Sequence, residues 1–219
     1  MASTPINLGP EESQIWDAEF VELTSAFSDD QQGERIRAVF ERSRNLIRGA
    51  AAIAKAEFRG SSFGGIDTQG GFGWQLLRPQ HLRRLTTDAG VVNTDWKRTV
   101  AAPGWNYYVG TATAFNQINR RALVILLGIV NHDPSPKSVA MQLQIAGITY
   151  PVWDYYNAMK LEGGIRTWSF PKPKVIPALE QLKIQLFDHA TGSDEPEILG
   201  VTYAEAGYLQ LQAPALESP

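Results

Sequence analysis

The chain has 219 residues, with 20 Lys and Arg against 23 Asp and Glu, three His and no Cys. An apolar fraction of 43% with 10% aromatics is enough to bury a core, which excludes a disordered or low-complexity chain. The lack of cysteine excludes a disulfide scaffold, a thiolate metal site and a cysteine nucleophile, and a net charge of −3 gives no general case for nucleic-acid binding.

Met1 to Gly9 reads as an extended arm. The first thirty residues contain no Lys or Arg but carry Glu11, Glu12, Asp17, Glu19, Glu22, Asp29 and Asp30. Trp16, Phe20, Leu23 and Phe27 recur at helical spacing, so an acidic amphipathic helix is predicted near 10–26. Pro10 suits its first position, and Glu11 and Glu12 suit the positive end of its dipole.

A longer helix follows. Ser28 and Gln31 fit a capping box, and Ile36, Val39, Phe40, Ser43, Leu46, Ile47, Ala50, Ile53, Ala54 and Phe58 then repeat at three-to-four spacing up to a stop at Gly60. Its polar face is basic: Arg35, Arg37, Arg42, Arg44, Arg48, Lys55 and Arg59 outnumber Glu34, Glu41 and Glu57. Such a face is ordinarily solvated, and direct nucleic-acid binding is not expected of it. The acidic helix before it has the complementary charge. Either the two form a hairpin, or one subunit's acidic helix docks on a neighbour's basic one. Trp16, Phe20, Leu23, Phe27, Arg35, Arg42, Arg44 and Arg48 are therefore the candidate interface residues.

The Gly/Ser-rich run from Gly60 to Gly73 predicts a loop or hinge, and 61–103 as a whole reads as an irregular connector. From 104 to 219 the period changes to that of strands. These are expected at Trp105–Phe115, Arg121–Asn131, Val139–Ala146, Ile148–Tyr156, Ile165–Phe170, Leu182–Asp188, Ile198–Tyr203 and Tyr208–Gln212, before a short tail. Ala122–Val130 is apolar throughout, as a central strand is, and falls far short of the roughly 20 residues of a membrane helix. No membrane span or secretory signal is read. The fold class expected is α+β, mainly β: an arm and helices (1–60), then an antiparallel sandwich of about eight strands, jelly-roll-like.

Few residues suggest chemistry. Gly60-Ser61-Ser62-Phe63-Gly64 matches the G-x-S-x-G nucleophile elbow, but a helix precedes it and a loop follows, the reverse of the context that exposes such a serine. His81, His132 and His189 are far apart and lack metal-ligand spacing. Asp188, Asp194, Glu195 and Glu197 gather near one loop, as a calcium site or a solvated acidic loop would. No catalytic residue, metal or cofactor is assigned, and no enzyme activity is expected. Aromatics concentrate on the strands. In Trp105-Asn-Tyr-Tyr108 and Trp153-Asp-Tyr-Tyr156 consecutive rings must face opposite sides of the sheet, so some point outward. Trp105, Tyr108, Trp153 and Tyr156 are the candidates for an exposed patch that contacts protein or stacks on sugars.

In layout, with an N-terminal arm, helices, an eight-stranded sandwich with Pro-rich corners and a short tail, the chain resembles virion structural proteins. These are the jelly-roll capsid proteins and the β-sandwich cement proteins of phage heads. The resemblance implies a non-enzymatic subunit located in the virion, with other copies of itself or other capsid proteins as partners; no site residue is carried over. The acidic N-terminus departs from the basic arm of many RNA-packaging coat proteins. A glycan- or receptor-binding sandwich is the alternative, and a hydrolase or isomerase on a barrel of similar strand count is a third.

Overall fold

The computed structural model describes residues 10–60, 72–82, 95–119, 122–156 and 166–205. The arm at 1–9, most of the Gly-rich run, the strand expected at Tyr208–Gln212 and the tail lie outside these residues. Two helices, α1 (Pro10–Ser25) and α2 (Gln31–Gly60), precede the strands. The strands are β1 (Phe72–Leu76), β2 (Arg98–Val100), β3 (Gly104–Val109), β4 (Asn116–Gln117), β5 (Ala122–Asn131) and β6 (Ser138–Ile145). They continue with β7 (Ile148–Thr149), β8 (Trp153–Asp154), β9 (Thr167–Ile176), β10 (Gln181–Asp188), β11 (Gly192–Asp194) and β12 (Pro196–Glu205).

All described pairings are antiparallel. One sheet runs β1-β12-β5-β9. The second runs β3-β10-β6-β7, with β4 on β10 and β8 on β6, and a small pair joins β11 to β2. Counting β7 and β8 as one interrupted strand and leaving out the short β2, β4 and β11, eight strands in chain order are arranged 1-8-3-6 over 2-7-4-5. This is the jelly-roll order, so the expected mainly-β sandwich with leading helices is the observed fold. The 61–103 segment, expected to be an irregular connector, contributes β1 and β2. Each is short, and neither shows enough alternation to stand out.

The first sheet is covered on both sides. Residues of β5 alternate between two cores: Ala122, Val124, Leu126 and Ile129 face the second sheet, while Leu123, Ile125, Leu127 and Val130 face the helices. This double burial is why the strand is apolar at every position. The change of phase falls at a bulge beside Gly128, where a Cβ would sit 2.1 Å from the Trp168 carbonyl oxygen. Ile36, Val39, Phe40 and Ile47 of α2 join Phe20 of α1 on that outer surface.

The cap of α2 differs from the one expected. Asp30, not Ser28, accepts the Gly33 backbone N–H, at 2.7 Å, and Ser28 Oγ donates to the same carboxylate at 2.8 Å. The Ser28 carbonyl lies where a Cβ on Gly33 would be, 1.9 Å away, so the tight entry needs glycine.

The helices also correct the expected interface. Phe20 is 3% exposed, and Leu23 and Phe27 pack partly buried against the same core. Their stripe is used up on the chain's own sheet and is not free to grip another copy. Trp16 lies in α1, with its side chain outside the described residues. Arg44 donates to Asp17 of α1 at 2.9 Å and sits over the Phe20 ring. Arg37 reaches the Phe27 carbonyl and Asp29. Acidic and basic helices thus pair as an intramolecular hairpin, the other arrangement their charges allowed. Arg42 reaches Ser169 Oγ on β9 at 3.3 Å, and Arg35 and Arg48 also have contacts.

Candidate functional site

The second sheet has one face in the core and one open. On β10, Leu182, Ile184, Leu186 and Asp188 point inward and are buried, which turns Gln181, Lys183, Gln185 and Phe187 outward. The strand register lays the outward side chains in rows. Trp105, Phe187, Ala140 and Asp154 form one row across β3, β10, β6 and β8. Tyr107, Gln185 and Gln142 form the next, and Lys183, Gln144 and Thr149 the third. Rows repeat at about 6.8 Å, two residues of an extended strand.

Aromatic rings occupy the β3 and β10 side. Trp105 is 42% exposed and meets Phe187, 36% exposed, edge to face at 5.4 Å between centroids. Beyond Tyr107, Phe115 covers Lys183, whose Nζ lies 4.1 Å from the Phe115 centroid and 5.5 Å from that of Tyr107. Lys183 also donates to the Ala112 carbonyl, and its residue is only 7% exposed. The β6 side is polar. Gln142 and Gln185 are half-buried and form no side-chain hydrogen bond to any described residue, whereas Gln144 donates to Gly147 O at 3.4 Å. Ala140, the smallest outward residue of the first row, stands between Phe187 and Asp154 and is only 7% exposed.

Two of the four aromatic candidates are exposed. Trp105 stands on this face, and Tyr156, 38% exposed, lies by its end with its ring centroid 6.1 Å from that of His189. Tyr108, expected to be exposed, is fully buried. Strand alternation pairs Trp105 with Tyr107, and Tyr108 points inward to donate from its hydroxyl to the Trp96 and Pro196 carbonyls. Burial pushes the Tyr108 phenol well above its ordinary pKa. Trp153 is half-buried in a cluster with Tyr150, Trp168 and Phe170 that closes the gap between β8 and β9. Sequence reading overlooked Tyr107 and Phe187. The alternation of Leu182, Ile184 and Leu186 already sends Phe187 outward, and the spacing of two from Trp105 does the same for Tyr107.

Beneath the first row lies a buried ion network. Arg98 of β2 bonds both Asp188 and Asp194, whose side chains have no exposure. Asp188 also accepts from Asn106 Nδ2 at 2.8 Å, and Asp194 from Asn131 Nδ2 at 2.8 Å and the Lys137 N–H at 2.9 Å. Burial raises the Asp188 carboxyl above its usual range against the pull of Arg98. Two of the four acidic residues therefore share one internal cation, and Glu197 bonds His132 at 2.6 Å. They do not form an open cation cage. Among the described residues no group of three or more His, Asp or Glu side chains converges as a metal site, and the three histidines stay apart. No helix among them is long and apolar enough to cross a membrane.

No protein-family model matches the chain, and no curated protein matches it. Three solved structures are similar in part. The CBM36-1 domain of a multidomain xylanase from the hindgut metagenome of Trinervitermes trinervoides is 11% identical with a TM-score of 0.25, over 60% of this chain and 97% of that one. A ruminal GH26 endo-β-1,4-mannanase is 12% identical with a TM-score of 0.25, over 60% of this chain and 25% of that one. Dimeric latent PorU from Porphyromonas gingivalis is 15% identical with a TM-score of 0.24, over 66% of this chain and 14% of that one. At such TM-scores these likenesses carry no argument about this chain, and none of the three points to a virion protein.

Proposed function

We propose that the chain is a non-enzymatic glycan-binding module whose binding surface is the open face of the second sheet. The observation that carries this reading is the pattern of that face: rings of Trp105, Tyr107 and Phe187 beside the uncommitted amides of Gln142 and Gln185. A sugar ring has an apolar face of C–H groups and an equator of hydroxyls. Aromatic rings cover the first, and amides, which donate and accept, answer the second. A rigid sheet holds both in register without ordering a loop on binding. The decisive experiment measures the chain by calorimetry and affinity electrophoresis against a panel of polysaccharides. Binding should fall at least about tenfold in W105A/F187A with the fold unchanged. A wild type that binds no glycan, or a folded double variant that binds as well, overturns the reading.

A self-assembling particle subunit is the second reading, favoured by a different observation. An apolar groove of about 390 Å³ runs between α2 and β9, lined by Leu46, Gly49, Ala50, Ile53, Leu123, Val175 and Pro177. Ile53 is 52% exposed there and Leu46 38%, which suits burial against a second copy. The jelly-roll order serves both coat and lectin domains, so the fold does not choose between them. Electron microscopy and sedimentation separate the two: assembly abolished by L46E/I53E, with no glycan binding, would favour the subunit.

A further inference from the structure

We infer that the glycan taken by this face is a neutral chain and not a uronate or sulfated polymer. This rests on the glycan-binding reading and deepens it by naming the ligand class. Among the described residues, the outward register positions of the second sheet hold two charged side chains, Lys183 and Asp154. They differ in access. Lys183 is the cation that an acidic sugar would need, yet it lies beneath Phe115 and Tyr107 with one proton given to the Ala112 carbonyl. Pulling it out to meet a carboxylate would break both ring contacts. Asp154 is exposed at the end of the first row, beyond Ala140, with one oxygen accepting from the Tyr156 N–H at 2.9 Å. An anionic polymer along the first row would therefore meet a carboxylate, and among the described residues of this face no cation is free to offset it.

Three described basic groups off the face are engaged too. Lys137 Nζ donates to the Ser135 carbonyl at 2.6 Å, and the His189 Nδ1 lies 2.8 Å from the Lys137 carbonyl. Lys174 sits over Tyr150 and Trp153 at the other edge of the sandwich. Among the described residues, what remains for a ligand is ring surface, amides and one carboxylate. That set hydrogen-bonds hydroxyls and selects against negative charge.

The test is affinity electrophoresis of the full chain with a neutral glucan, a mannan and a xylan, in parallel with polygalacturonate and heparin at low salt. At least one neutral polymer should bind, with both acidic polymers at least tenfold weaker. Acidic polymers that bind as tightly would overturn the neutral class while leaving the glycan reading in place. Failure of all five would overturn the glycan reading itself. D154N should raise acidic binding relative to neutral binding several-fold, and an unchanged ratio would remove Asp154 as the discriminating charge.

Discussion

The two sheets of this jelly roll have similar strands and opposite outer surfaces. On the first, β5 and β12 present Leu123, Ile125, Leu127, Leu199 and Val201, and a helical hairpin covers them. On the second, the same periodicity presents rings and amides, and no described element covers them. The first surface is apolar because it must be buried for the chain to fold. The second keeps three aromatic residues without that requirement, since its inner face alone supplies the core. Ring surface that folding does not need is available for recognition.

The largest effect should come from the ion network, which joins β2 and β11 to the end of the sandwich. Replacing Arg98 by Ala leaves two buried carboxylates unpaired, and the expected loss is about 3–5 kcal/mol in urea or thermal unfolding. A loss below about 1 kcal/mol would show that water reaches the site. F40A, on the covered surface, should cost a similar 3–5 kcal/mol, because Phe40 is 1% exposed and wedged between α2 and the sheet. If F40A were nearly neutral, the helices would be loosely held and the contrast between surfaces would fail.

Acid should act next, and through the covered sheet. His81 is 2% exposed, accepting on Nδ1 from the Arg78 N–H at 3.1 Å and meeting Thr202 Oγ1 of β12 at 3.0 Å. Its Nε2 faces Gln75 Oε1 at 3.1 Å, which fixes the tautomer with the proton on Nε2. Burial, aided by the charge of Arg78, lowers its pKa to about 4. The unfolded chain then binds the extra proton first. Stability is fully present above about pH 6.5 and falls as pH drops toward 4, by an amount of order 3 kcal/mol. His132 has the opposite sign: its hydrogen bond to Glu197 raises its pKa, so its contribution is present below about pH 6.5 and is lost as pH rises through the folded value. Unfolding curves of H81Q should flatten the slope between pH 4 and 6.5, whereas H132Q should leave that slope alone and remove the fall in stability above about pH 6.5.

How much of this was legible follows from how each signal arises. The helices and the central strand were readable because burial writes periodicity into a run, as in Ile36 to Ile47 or Ala122 to Val130. The destination of the α1 stripe was not: Phe20 and Leu23 look the same whether they cover the chain's own sheet or a neighbour's. Strands β1, β2 and β11 are short, and tertiary pairing defines them. Arg98 in Lys97-Arg-Thr-Val100 gives no local sign that it will meet Asp188 and Asp194 some ninety residues later. Half of the open face could be derived, because strand alternation fixes the side of Tyr107 and Phe187. The neighbours across the sheet, Gln142 and Ala140, required the register.

The smallest effect on stability should come from the open face, and it carries the most information. F187A removes a ring that is 36% exposed and one edge-to-face contact with Trp105, so about 1 kcal/mol or less should be lost. Set beside the cost of F40A, that difference measures how little folding depends on the second surface. A140L sharpens the point from the other direction. It adds side-chain volume at an outward position already closed in by its neighbours, since Ala140 is 7% exposed, so the leucine has to extend outward past Phe187 and Asp154 and should shift the melting temperature by a few degrees. It also raises the first row, so glycan binding should fall at least tenfold, because the ligand would have to ride above the rings and amides together. If A140L bound like the wild type, the ligand would not cross that row. The rings of Tyr107 and Phe115, one and two rows away, would then mark the occupied part of the face.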